Sequence, residues 1–179
     1  NLKMKIIKFL LFIFLWNIFS CNEIKPRKPL NNTKNSFFKS SIKRNIKIRL
    51  KEENVFKEII NNSKKKFYYS NNGFWYSFIN KNDKRKPNIG ERVIFSYEIY
   101  DVFGNIIYDK NFLQDVNYII DKDDILPALR EGVKVLGEGE TAKFLFPSFL
   151  CYGYMGDFNK IGINQPLIII INLLKHFKD

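Results

Sequence analysis

The residues with most to say about chemistry lie in the last third of the chain. Gly139-Glu-Thr-Ala-Lys-Phe-Leu-Phe-Pro147 leads into Cys151-Tyr-Gly153, and an apolar run, Leu167-Ile-Ile-Ile-Ile171, follows. Two apolar strands thus flank a glycine-rich loop that opens on a tyrosine. Such an arrangement can act through shape, dryness and a phenol hydrogen bond, without a charged catalyst. The usual charged kit is missing. The single histidine, His176, reads as a surface or capping residue, and no Cys, His or Asp cluster has metal-ligand spacing. Cys151 has no Lys, Arg or His beside it in sequence to lower its pKa, so it reads as a buried inert thiol rather than a nucleophile. No metal and no cofactor are expected.

Several strands must position that loop. Val93, Phe95, Tyr97 and Ile99 alternate with polar neighbours, as one face of a half-buried strand does. Asp101-Val-Phe-Gly-Asn105 turns the chain, and Ile106 to Tyr108 returns. Val116, Tyr118 and Ile120 alternate again, as do Ala142, Phe144 and Phe146. Phe67-Tyr-Tyr69 and Phe74-Trp-Tyr-Ser-Phe-Ile79 form a strand pair broken at Asn71-Asn-Gly73. The spacing of Ile125, Leu129, Val133 and Leu136 predicts the only helix after residue 62. It starts under Asp123 and Asp124, carries Pro127 in its first turn and stops at Gly137. Antiparallel strands wrapped around one short helix make an α+β fold.

The N-terminal part has a different character. Lys3, Lys5 and Lys8 precede Phe9-Leu-Leu-Phe-Ile-Phe-Leu-Trp16, too short for a bilayer span but suited to the apolar region of a signal peptide. Ile18-Phe-Ser-Cys21 then looks like a bacterial lipobox. This predicts a signal peptide over residues 1–20 and a lipidated Cys21, with an uncleaved signal anchor as the alternative. Cys151 is the only other cysteine, and a modified Cys21 could not pair with it, so no disulfide framework is expected. Residues 21–35, with Pro26 and Pro29, read as a flexible tether. Phe38, Ile42, Ile46, Ile48, Leu50, Val55, Phe56, Ile59 and Ile60 predict an amphipathic helix over residues 36–62, and residues 63–179 form the folded domain. The helix's apolar stripe needs cover from its own domain, a second copy or a partner.

The net charge of +12 and pI near 9.6 invite a nucleic-acid reading. The basic residues are spread along the chain, however, amid heavy use of Lys, Asn and Ile, and no basic-aromatic recognition motif appears. No nucleic-acid partner is expected, and the charge suits anionic lipid headgroups better.

Taken together, Gly90-Glu-Arg-Val-Ile-Phe-Ser-Tyr97, the Ile125–Leu136 segment and the Cys151-Tyr-Gly153 loop resemble the FKBP-type peptidyl-prolyl isomerases, over residues 73–174. The lipobox, the helix, Asn-Gly-Phe-Trp-Tyr and Phe-Pro-Ser-Phe-Leu-Cys-Tyr-Gly-Tyr narrow the likeness to the gliding-motility-associated isomerase lipoproteins of Bacteroidetes. The resemblance implies an FKBP-like sheet around one short helix and catalysis of prolyl isomerisation in polypeptide clients; the leader and lipobox place the chain in the cell envelope, and with no acidic run directly after Cys21 it is expected to face the periplasm. It further implies that Tyr97 lines the pocket, that the Tyr152 phenol bonds a substrate carbonyl and that the Leu126 N–H meets another. Ile125 would sit beside Leu126, with Ile107, Tyr118 and Ile161 as apolar wall. Leu129 stands where the family places a tryptophan floor, Val116 and Ile169 replace wall aromatics, and the acid after the hairpin falls at Asp109, behind Ile107-Tyr108. These departures imply a wider apolar cavity and weak catalysis, and they keep open a non-catalytic chaperone or scaffold of the same fold. In similar isomerases the N-terminal helix serves dimerisation or client capture.

Overall fold

A computed structural model describes residues 34–177; Cys21, the 1–20 segment and most of the 21–35 tether lie outside the described residues. The chain divides into two compact units, residues 1–39 and 40–179, and only residues 34–39 of the first are described. The elements are α1 (Lys34–Asn61), β1 (Tyr68–Tyr69), β2 (Trp75–Asn80), β3 (Arg92–Tyr100), β4 (Ile106–Tyr108), α2 (Lys110–Leu113), β5 (Val116–Ile119), α3 (Pro127–Val133), β6 (Thr141–Phe146), a 3-10 turn (Ser148–Leu150) and β7 (Leu167–Phe177).

The strands form one antiparallel seven-stranded sheet in the order β1-β2-β6-β7-β3-β4, with β5 also paired to β3. Short β4 and β5 share the outer edge of β3: β4 takes Ile99 and Tyr100, and β5 takes Arg92 to Phe95.

β7 lies inside the sheet, between β3 and β6, and both faces of its first part, Leu167 to Ile171, are covered. Leu167, Ile169, Ile171 and Leu173 join Ala142, Phe144 and Phe146 of β6 and Val93, Phe95 and Ile99 of β3 in the main core, under α3. On the reverse face, Ile168 and its cross-strand partner Leu145 pack against Phe56 of α1. Double-sided burial is why the apolar residues run on without a polar alternation.

α3 is shorter than its apolar spacing suggested. It begins at Pro127 with Leu126 as N-cap, and no side chain caps it. Asp123, expected at the helix start, instead accepts the Ile119 N–H at 2.8 Å and closes the turn after β5. α2 is a further helix that the apolar pattern does not show, because its four residues bury no side chain. α3 lies close to the sheet because residue 132 is glycine: a Cβ there would stand 2.6 Å from Ile171 Cδ1.

α1 covers the sheet only along its C-terminal half. Phe56 is buried, with Ile59 and Ile60 partly so, whereas Ile42, Ile46 and Leu50 remain exposed. The predicted stripe therefore splits into a packed part and a solvent-facing part.

Two polar knots fix the end opposite the loop. Glu140, buried, accepts N–H bonds from Asn82 and Asp83 on Oε1 (2.9 Å each) and from Gly137 on Oε2 (2.8 Å). His176 is no surface residue: its side chain is 3% exposed and its Nε2 lies 2.7 Å from Glu91, whose carboxyl the Arg85 guanidinium holds down at about 2. Replacing Glu140 would leave three N–H groups without an acceptor. We expect Glu140→Ala to lose about 2–3 kcal/mol of stability, read as a lower urea midpoint at unchanged slope.

Candidate active site

β3, β4, β5, α3 and the segments beside them set the sequence-expected residues in or against the main core. Six of them, Tyr97, Ile107, Val116, Ile125, Leu126 and Tyr152, are partly buried and pack against that core. Four others, Tyr118, Leu129, Ile161 and Ile169, are buried within it. The accessible set thus rests on a closed apolar base. Ile169 is placed there by its ladder partners, Phe144 on one side and Ile99 on the other. Tyr118 spends its hydroxyl internally, accepting the Asp121 N–H at 2.9 Å.

Two phenols, Tyr97 and Tyr152, are the polar side chains of the accessible set. Burial pushes Tyr97 above the ordinary tyrosine value. It pushes Tyr152 up to about 12, with Tyr97, Asp157 and Tyr108 near enough to add to the effect. Both hydroxyls therefore stay protonated at neutral pH and can donate. Leu126, at the N-cap of α3, has extended backbone angles, φ −51° and ψ 127°. Its carbonyl accepts from Leu129 and Arg130, while its own N–H has no acceptor among the described residues. A helix start leaves such donors unpaired unless something supplies an acceptor. Chemically, the region offers a phenol donor, a backbone donor and apolar walls.

Asp109 does not face this region. It is exposed and accepts the Phe112 N–H at 2.9 Å, so its carboxylate caps α2. The carboxylate beside the core is Asp157, which the sequence alone does not single out. It accepts the Tyr108 hydroxyl at 2.5 Å and the N–H groups of Asn159 and Ile161 at 2.9 and 2.7 Å. Burial raises the Asp157 pKa, but these bonds outweigh it and leave the group below the ordinary carboxylate value. The only hint in the sequence is an acid inside a glycine-bounded loop, Gly156-Asp-Phe-Asn-Lys-Ile-Gly162, with no marker of its distant partner Tyr108. Tyr108 also stacks on exposed Phe112 (centroids 5.3 Å apart), and Lys160 sits over both rings. Cys151 is buried, and burial pushes its thiol up, away from nucleophilic use.

Asp157 thus ties the Gly156–Gly162 loop to Tyr108 of β4. Asp157→Ala should speed amide exchange of Asn159 and Ile161 by about tenfold, the equivalent of one charge-assisted bond, while core amides such as Ile169 and Ile171 stay protected. Equal acceleration in both sets would show the bond to be merely part of global stability.

Comparison with known proteins supplies the family and the fold. Residues 83–174 match the family model for FKBP-type peptidyl-prolyl cis-trans isomerase. A probable FKBP-type peptidyl-prolyl cis-trans isomerase, FkpA, of Neisseria meningitidis serogroup B is 28% identical over 103 residues, covering 58% of this chain and 38% of that relative. The chain thus spans well under half of that protein. Among solved structures, a peptidyl-prolyl cis-trans isomerase of Pseudomonas syringae superposes with TM-score 0.60 at 17% identity, covering 73% of this chain and 94% of the other. FkpA of Escherichia coli gives TM-score 0.56 at 19% identity, over 94% and 81%. At these identities the structural likeness speaks for the fold: an antiparallel sheet, a short helix and an N-terminal helix.

Proposed function

We propose that this chain, which belongs to the FKBP-type peptidyl-prolyl cis-trans isomerase family, catalyses prolyl cis-trans isomerisation in polypeptide clients. The observations that support this reading are a partly buried Tyr152 phenol beside Tyr97 and an unpartnered Leu126 N–H at the start of α3, both packed against the same apolar core. Rotation about a prolyl bond meets a barrier of roughly 18–20 kcal/mol because the planar amide is resonance-stabilised. Moving the amide out of water disfavours its charge-separated planar form relative to the twisted one, and no proton transfer or bond cleavage is needed.

Here Tyr97, Ile107, Val116 and Ile125 supply the dry walls, over the buried Tyr118, Leu129, Ile161 and Ile169. Leu126 N–H and the Tyr152 hydroxyl each donate to a client carbonyl, which fixes the peptide on either side of the rotating bond. Asp109, tied to α2, takes no part; Asp157 holds the Gly156–Gly162 loop and Tyr108 in place.

We further place the mature protein in the bacterial cell envelope, facing the periplasm and held by a diacylglyceryl group on Cys21. The support is the Ile18-Phe-Ser-Cys21 sequence behind a short basic and apolar leader. A role in gliding motility or surface-protein secretion rests on the likeness of its loop and entry motifs to that class of lipoproteins. The exposed Ile42, Ile46 and Leu50 on α1 support a second use of that helix, in pairing with another copy or in client contact.

The isomerase reading is tested with proline peptides in a coupled isomerisation assay. Tyr152→Phe should cost about tenfold in kcat/KM, and Leu126→Pro, which keeps φ but deletes the N–H, about as much, whereas Leu126→Val should not. The rate should also be flat from about pH 6 to 9, since the phenols titrate above that range. Wild-type rates equal to buffer would leave a binding module of the same fold. Separately, Cys21→Ser should abolish lipid labelling and release the protein from membranes or block its processing. Unchanged membrane retention of an uncut chain would instead indicate a signal anchor.

A further inference from the structure

A cavity of about 530 Å³ lies between α1 and the loop after β6, within the ordinary size range of ligand sites. Among its lining residues is a buried carboxylate, Glu52, 4% exposed. Glu52 Oε2 accepts the Ser148 N–H at 3.3 Å, while Oε1 has no hydrogen-bond partner. A buried carboxylate oxygen without a donor costs free energy that a bound N–H would recover. Burial pushes the Glu52 pKa up, against the Ser148 bonds and the nearby Arg49 charge.

The remaining lining narrows the ligand. Arg49 stands over the Phe149 ring, 5.5 Å from its centroid, and offsets the charge of Glu52. The pair leaves the cavity without net charge, so a neutral donor fits better than a cation. Ile48, Phe149, Tyr154 and Met155 form apolar walls, and the last three are 50, 78 and 49% exposed. Large apolar side chains held this open suit a peptide side chain, with the peptide's own backbone as the N–H source. Tyr152 belongs both to this lining and to the candidate active site.

We propose that the cavity is a second subsite for the client chain, binding an apolar residue beyond the isomerised proline while that residue's backbone N–H donates to Glu52 Oε1. Rather than water alone, an extended stretch of client leaving the active site over Tyr152 fills the space between Ile48 and Met155. The subsite makes client selection depend on α1 as well as on the isomerase core. It rests on the isomerase reading for the position of the proline, but its binding is measurable without turnover.

The test uses the full chain with a proline tetrapeptide and two longer peptides, extended by about six apolar-rich residues, roughly 20 Å, on the N-terminal or the C-terminal side. Asn45→Trp narrows the cavity mouth from an exposed helix position, and Glu52→Leu removes the acceptor. We expect each variant to lower the long-to-short ratio of kcat/KM about tenfold for one extension. The affinity for that same peptide, read by fluorescence anisotropy, should fall in parallel. Unchanged affinity in Asn45→Trp, or no binding of either long peptide by the wild type, would overturn the proposal and leave the cavity to water. If the wild type binds a long peptide that Asn45→Trp releases, yet isomerises none of the peptides, the isomerase reading fails and the subsite stands.

Discussion

The approach of α3 to β7 sets the geometry on which the site depends. A glycine at 132 lets the helix settle onto Ile171 and Phe146, where a methyl group would collide with the isoleucine at 2.6 Å. That seating sets the level of Leu129 in the core and the height of Leu126 at the helix start, and with it the free N–H. Because interiors are close-packed, a shift of the helix would be felt by every residue sharing its contacts. The polar knot at Glu140 holds the other end of the same segment, bonding Gly137 just past the helix. Position is therefore imposed from both ends, by a missing side chain on one turn and a buried carboxylate after the last.

Chemical character follows from burial more than from charge. The two phenols remain donors because they are drawn into the core, and the acid near them is occupied with backbone N–H groups and Tyr108. The loop carrying Tyr152 has two jobs on its two sides. One side faces the candidate active site, and the other, through Phe149, Tyr154 and Met155, meets α1 around Glu52. In this arrangement the N-terminal helix is a wall of that cavity as well as a cover for the sheet.

The strands were readable because their alternation is local: Val93, Phe95 and Ile99 declare a buried face, and the Asn71-Asn-Gly73 turn declares its hairpin. The apolar members of the site were readable for the same reason, helped by family likeness. What stayed hidden depended on partners far apart in sequence. Asp109 and Asp157 are both acids near turns, and only the folded chain shows that the first caps α2 while the second reaches Tyr108. His176 carries no sequence sign of Glu91, and nothing in the sequence sets Glu52 apart from the other polar residues of α1. The start of α3 was misplaced because two aspartates followed by an apolar stripe make a good helix signal, whereas Pro127 and the turn that Asp123 closes prevailed.

The inside position of β7 bears on how the chain avoids self-association. Its Leu167–Ile171 run, uncharged and rich in β-branched residues, is the kind of segment that stacks into fibrils when left uncovered. Both of its ladder neighbours, β3 and β6, precede it in the chain, so a docking slot can be ready when it emerges during synthesis. The outer rims are left to β1, β4 and β5, each too short to template a neighbour. The stickiest stretch, Leu167–Ile171, thereby follows both of its ladder partners and has no exposed residue.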